Sequence, residues 1–136
     1  MNLRTILEGD SQLTIEQLQK LQRQYDKRFV ADEFTGFAKI RHTYVHMGKL
    51  FGRLAEYVQM IEDGHADFSP SEIKEKVIPD LLVYAAWLAE EFGVNLEKVY
   101  LQRIVGNIQR LHRDKISPEE LRELEQYAEQ RFSKTS

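Results

Sequence analysis

His42, His46, Lys49, Arg53 and Glu56 recur at spacings of four, three, four and three, which is the spacing that stacks side chains along one face of an α-helix. The result is a polar stripe of two imidazoles, two cations and a carboxylate beside an apolar face. Such a stripe has two uses. Directed into a groove between helices, it needs a ligand, a metal or a partner to offset its charge. At a boundary position, Lys and Arg carry their heads to water and the histidines are partly exposed surface residues, and the stripe alone favours that reading. The pair His42 and His46, at i and i+4, has the spacing by which two imidazoles on one helix share a zinc ion. A His-Glu-x-x-His site also needs a glutamate where this chain has Thr43, and no third ligand is evident.

Two further features carry chemistry. Asp80 is the only charged residue between Val77 and Ala89, so the spacing predicts a buried carboxylate that needs a partner, acting as a structural anchor, a metal ligand or a general base. Pro79 beside it frees the carbonyl of Glu75 and predicts a kink. Arg103, Asn107 and Arg110 share a face at i, i+4 and i+7. Forked guanidinium donors flanking an amide suit a phosphate or carboxylate, while a solvated face near a helix C-terminus is the plainer use.

The elements that must position these residues read as helices throughout. Apolar residues recur at three and four, with no strand-like alternation, and only three prolines and seven glycines interrupt them. A first helix starts at Thr14, with Gln17 completing a capping box, and runs to Phe29 with Leu18 and Leu21 beginning its buried face. A second runs from after Gly36 to Asp63 with Gly64 as its left-handed cap. Its apolar face, Ile40, Tyr44, Met47, Phe51, Leu54, Val58 and Ile61, is predicted to dock against the core. A third opens near Ser69–Pro70–Ser71 and ends at Phe92–Gly93. A fourth extends from Asn95, an N-cap, to His112. A fifth begins at Ser117–Pro118 with Glu120 closing another capping box, and frays at Lys134–Ser136. Short joints predict antiparallel neighbours. The expected architecture is all-α, an antiparallel bundle of four core helices with one peripheral helix, forming a single domain over 1–136.

Composition excludes several classes. A chain of 136 residues with 42% hydrophobic and 30% charged residues is globular rather than disordered. A net charge of -3 provides no positive field toward nucleic acid or anionic membrane. Cysteine is absent, removing disulfides and thiol chemistry and fitting a reducing compartment, the cytoplasm. Met1–Asp10 lacks the apolar region of a signal peptide, and Leu81–Ala89 is too short to span a bilayer. Neither a dinucleotide-binding nor a phosphate-loop glycine motif is present, nor a serine in a nucleophile elbow.

Taken together, residues 42–112 resemble the MazG-like all-α nucleoside triphosphate pyrophosphohydrolases. That family carries Glu-Glu-x-x-Glu on one helix, within a phrase like Glu-Glu-x-Gly-Glu-Leu-Ala-Glu. It carries Glu-x-x-Asp on the next helix, followed by Lys/Arg-x-x-x-Asn-x-x-Arg. Here the first phrase reads Lys49-Leu50-Phe51-Gly52-Arg53-Leu54-Ala55-Glu56, so Gly52, Leu54, Ala55 and Glu56 match and the three motif glutamates are replaced. The second motif reads Val77-Ile78-Pro79-Asp80 and keeps only its aspartate. Glu90–Glu97 is similar to the family's interhelical turn, and Arg103, Asn107 and Arg110 fall on the third segment.

The resemblance implies a pyrophosphohydrolase scaffold that splits nucleoside triphosphates into monophosphate and pyrophosphate with magnesium, assembling as a homodimer or homotetramer. It also implies a damaged site, because four ligand positions are Lys49, Leu50, Arg53 and Val77. Asp80, aided by Glu56, is what remains for catalysis or metal binding, and hydrolysis with magnesium is expected to be impaired. In the leading expectation Lys49, Arg53, Arg103, Asn107 and Arg110 bind a nucleotide or another phosphate anion. One alternative is an active enzyme whose rearranged metal site is His42, His46, Glu56 and Asp80, suited to manganese, zinc or nickel. Another is a non-catalytic oligomeric protein, Arg53 of one chain meeting Glu56 or Asp80 of a second.

Overall fold

A computed structural model describes residues 12–30 and 35–133. The expectations about Met1–Asp10 and Lys134–Ser136 lie outside the described residues. Among those described every regular element is helical: α1 (Ile15–Phe29), α2 (Phe37–Glu62), a π-helical turn (Ile73–Val77), α3 (Ile78–Glu91), α4 (Leu96–Leu111), a 3-10 turn (Arg113–Lys115) and α5 (Pro118–Ser133). None of these helices is long and apolar enough to cross a membrane. The chain divides into two compact units, Met1–Gly93 and Val94–Ser136.

Local chemistry sets the helix ends. At the start of α1, Thr14 Oγ1 accepts from the Gln17 N–H at 3.1 Å while Gln17 Oε1 accepts from the Thr14 N–H at 2.7 Å, a complete capping box. At the end of α2, the Gly64 N–H reaches the Ile61 carbonyl and the His65 N–H reaches that of Met60. This Schellman arrangement needs the φ of +92° that Gly64 adopts without strain. Asn95 caps α4 by accepting from the Lys98 N–H, and Ser117 caps α5 by accepting from the Glu120 N–H.

In the first unit α3 lies between α1 and α2, and the π-helical turn also packs on α2. The fully buried apolar residues of this unit are Leu50, Val77, Ala86, Trp87 and Ala89. Residues 71–91 run as one continuous helical path. The accommodation to Pro79 is the wider turn ahead of it: the Ile78 N–H bonds back five residues to the Ile73 carbonyl. That extra residue separates the proline ring from the carbonyl it would strike in an α-helix.

Three burial expectations are corrected. On α1, Leu18 and Leu21 are only half-buried, and Gln19 is the fully buried residue. On α2 the side turned to α3 is that of Lys39, Thr43 and Leu50. Most of the predicted apolar face is uncovered: Tyr44 is 78% exposed and Phe51 54%, with Leu54, Val58 and Ile61 exposed as well. The reason is geometric. The apolar arc of α2 is wider than one neighbouring helix can cover, and α3 takes its edge. Asp80, thirdly, is half-buried rather than enclosed, because Ile78 and Leu82 on the same helix face solvent.

In the second unit α4 packs on α5. Leu121 is buried at their contact, and Arg131 of α5 binds the buried Glu97 of α4.

Candidate functional site

The stripe on α2 and the start of α3 come together. The His42 and His46 rings lie 4.1 Å apart, centroid to centroid, as one helical turn dictates. Across the helix contact, Trp87 stacks on His42 at 5.8 Å and Tyr84 meets His46 at 5.8 Å, with Tyr84 and Trp87 edge to face. Tyr84 stands one turn beyond Asp80 on α3, so the carboxylate, the phenol and the two imidazoles share one patch. Asp80 was the sequence's signal for this patch, and Tyr84 is a member that the sequence reading missed.

Electrostatics tie the patch to the cations. Partial burial lowers the His46 pKa from 6.5, the positive charges of His42 and Lys49 lower it further, and Asp80 opposes them. Burial raises the Tyr84 hydroxyl above its usual value of 10.0, Asp80 adds to that, and Arg53 acts against it. His46 is therefore neutral near pH 7, within reach of the fields of Lys49 and Asp80. Arg53 also carries an ion pair, Nη1 to Glu72 Oε1 at 3.4 Å, with both side chains more than 40% exposed. Lys49 and Glu56 are exposed.

A pocket of about 440 Å³ opens at the N-terminal half of α2, lined among the described residues by Phe37, Ala38, Arg41, His42, Val45 and His46. Its wall is mostly apolar, and the two imidazoles form its edge toward Lys49.

Behind the patch sits a charge network that periodicity did not reveal. Lys39, 7% exposed, holds its Nζ 3.6 Å from both Asp26 Oδ2 and Glu91 Oε1, and 5.1 Å over the Trp87 ring. Trp87 Nε1 donates to Asp26 Oδ1, as does Gln22 Nε2, and Glu91 Oε2 accepts the Gly36 N–H at 2.9 Å. One buried ammonium thus fastens α1, the start of α2 and the end of α3, and sets the indole against which His42 stacks. The available signal was Lys39 at i−4 from Thr43 and i−11 from Leu50, on the face that is buried.

The remaining site residues belong to the second unit. Arg103, Asn107 and Arg110 lie on α4 in the second unit, where Arg110 Nη2 donates to Asn107 Oδ1 at 3.4 Å and both arginines are exposed. Among the described residues no three His, Asp or Glu side chains gather closely enough to hold a metal ion. His42, His46, Glu56 and Asp80 are accordingly not assembled as a ligand set. The donor set fits magnesium poorly: beside Asp80, whose charge reaches His46 and Tyr84, the positive charge of Lys49 acts on the same imidazole and that of Arg53 on the same phenol. No family model matches the chain, and neither a curated protein nor a solved structure matches it.

Proposed function

We propose that the protein is a MazG-like helical protein impaired in magnesium-dependent hydrolysis, which binds a nucleotide or a related phosphate anion on the stripe of α2. The observation that carries this reading is the pairing of Lys49 and Arg53 with an imidazole patch in the absence of a carboxylate cluster among the described residues. Leu50 and Val77, at two positions where the resemblance would put ligands, are 4% and 2% exposed and serve packing. The charge of the site is thereby reversed: cations meet phosphate oxygens directly, where a metal ion would otherwise bridge them.

Distances along α2 suit such a ligand. From His46 to Arg53 the helix rises about 10 Å at 1.5 Å per residue, a span comparable to an extended triphosphate. An organic group would sit in the apolar pocket at His42 and His46, with phosphates on Lys49 and Arg53. The Arg53–Glu72 pair does not prevent this, since an exposed ion pair is worth at most about 1 kcal/mol and a phosphate displaces it. Titration calorimetry with nucleoside mono-, di- and triphosphates, with and without magnesium, tests the proposal. Binding that strengthens with phosphate number and does not need the metal is expected. No heat at millimolar ligand overturns it.

A further inference from the structure

A second constellation belongs to the second unit and uses none of the residues of the stripe. Pro118, Leu121, Arg122 and Glu125 recur at spacings of three, one and three, which returns them to one face of α5. The 3-10 turn that begins at Arg113 ends on the extended backbone of Ile116, at φ -132° and ψ 143°. Arg113 and Ile116 share with that face of α5 a cavity of about 240 Å³, lined by Arg113, Ile116, Pro118, Leu121, Arg122 and Glu125. Three of these residues are apolar and three are charged. The charges converge without meeting: among the described residues neither Arg113 nor Arg122 is in an ion pair. Each of two charged groups is held by a different neighbour. Arg122 Nε donates to the Pro118 carbonyl at 3.5 Å, which lays the side chain back along α5 and leaves both Nη groups available. Gln109 of α4 donates through Nε2 to Glu125 Oε1, which leaves Oε2 as an acceptor.

We infer that this cavity binds a free α-amino acid with an apolar side chain. Arg113 and Arg122 take its carboxylate, since forked guanidinium donors match the two oxygens. Glu125 Oε2 accepts from its ammonium, and Ile116, Pro118 and Leu121 cover its side chain. The size agrees. At roughly 30 Å³ of liquid volume per water, the cavity is the equivalent of about eight waters, the bulk of a molecule of about ten heavy atoms. Simpler ions suit the wall less well. A phosphate would pair with the arginines, but it would bring like charge toward Glu125 and leave the apolar residues uncovered. An amine would leave both guanidiniums unpaired. A zwitterion with an apolar body answers every residue of the wall at once. Because the cavity shares no residue with the stripe of α2, the inference does not rest on the anion reading.

Titration calorimetry of the full chain with L-leucine, L-methionine and L-phenylalanine tests it. Two analogues of leucine serve as controls: isocaproate, which lacks the ammonium, and isoamylamine, which lacks the carboxylate. At least one of the amino acids is expected to bind at millimolar concentration or below, and both analogues at least about tenfold more weakly than the best of them. Arg122→Gln and Glu125→Gln are each expected to weaken that binding at least about tenfold, with circular dichroism showing the helices retained. Should Glu125→Gln, which also touches Gln109, fail to fold, Arg113→Gln and Arg122→Gln still decide. No heat from any of the three amino acids at millimolar concentration overturns the proposal. So does isocaproate binding as tightly as leucine, which would leave Glu125 without a role, and so does inorganic phosphate displacing the amino acid at equal concentration, which would make the cavity an anion site only. Unchanged affinity in both arginine variants overturns it as well.

Discussion

His46 is partly shielded, one helical turn from His42, and faces both Lys49 and Asp80. Its folded pKa lies below 6.5, so the folded state holds fewer protons than the unfolded one when pH drops below that value. Stability is therefore full above about 6.5, declines as pH falls from there toward the lowered folded value, and levels off beneath it. Histidine proton resonances should titrate below the ordinary value for His46, and His46→Gln should flatten the slope of stability against pH in this window. A bound phosphate adds negative charge to the patch, so a triphosphate should raise the His46 midpoint; an unmoved midpoint at saturating ligand counts against contact with the stripe. Glu72 offers a complementary test. Glu72→Gln releases Arg53 from its exposed pair and is expected to tighten anion binding by about twofold to fivefold, the worth of such a pair.

The helices are joined by polar chemistry as much as by apolar contact. Lys39 lies between Asp26 and Glu91 with all three side chains at most 16% exposed, so deleting the ammonium leaves two shielded carboxylates without their cation. Lys39→Ala is expected to cost about 3 kcal/mol in urea denaturation. Lys39→Met, which keeps the packing stem, should cost less. No loss of stability in Lys39→Met, which deletes the charge and keeps the stem, would show that the ion pairs contribute nothing to holding α1, α2 and α3. The caps act more locally. Asn95→Ala removes the acceptor of the Lys98 N–H and should destabilise α4 by about 1 kcal/mol, read as loss of helical signal at intermediate urea.

For the whole molecule, the distribution of charge and apolar surface decides what the protein does. Lys49→Glu or Arg53→Glu should each weaken nucleotide binding by tenfold or more, since each replaces an attractive charge-assisted contact with a repulsive one. Added magnesium should not raise the affinity, because the patch presents Asp80 against two cations; a metal-dependent gain of tenfold would reverse the charge argument. The exposure of Tyr44 and Phe51 belongs to the same scale. A helix with apolar residues on two adjoining flanks has one of them covered by α3 and leaves the other exposed.

Local sequence determined the helices and their ends. Thr14, Gly64, Asn95 and Ser117 each satisfy or terminate backbone groups within a few residues of themselves, so their effect is readable without knowing the fold. The stripe was legible for the same reason, since spacings of three and four place His42 through Arg53 on one face of any helix. Tertiary structure decided which side of that helix is covered. Periodicity ranks the faces of α2 by hydrophobicity, and α3 settles on the edge of the most apolar arc, where Thr43 hydrogen-bonds its own helix through the Lys39 carbonyl and Lys39 finds two carboxylates. Those carboxylates come from Asp26 and Glu91, far apart in the chain, and no local pattern encodes that a lysine will be neutralised by residues on two other helices. Burial of Asp80 was misjudged for a related reason. An apolar stretch fixes how much surface a helix would benefit from hiding, while the number of neighbours available fixes how much it hides.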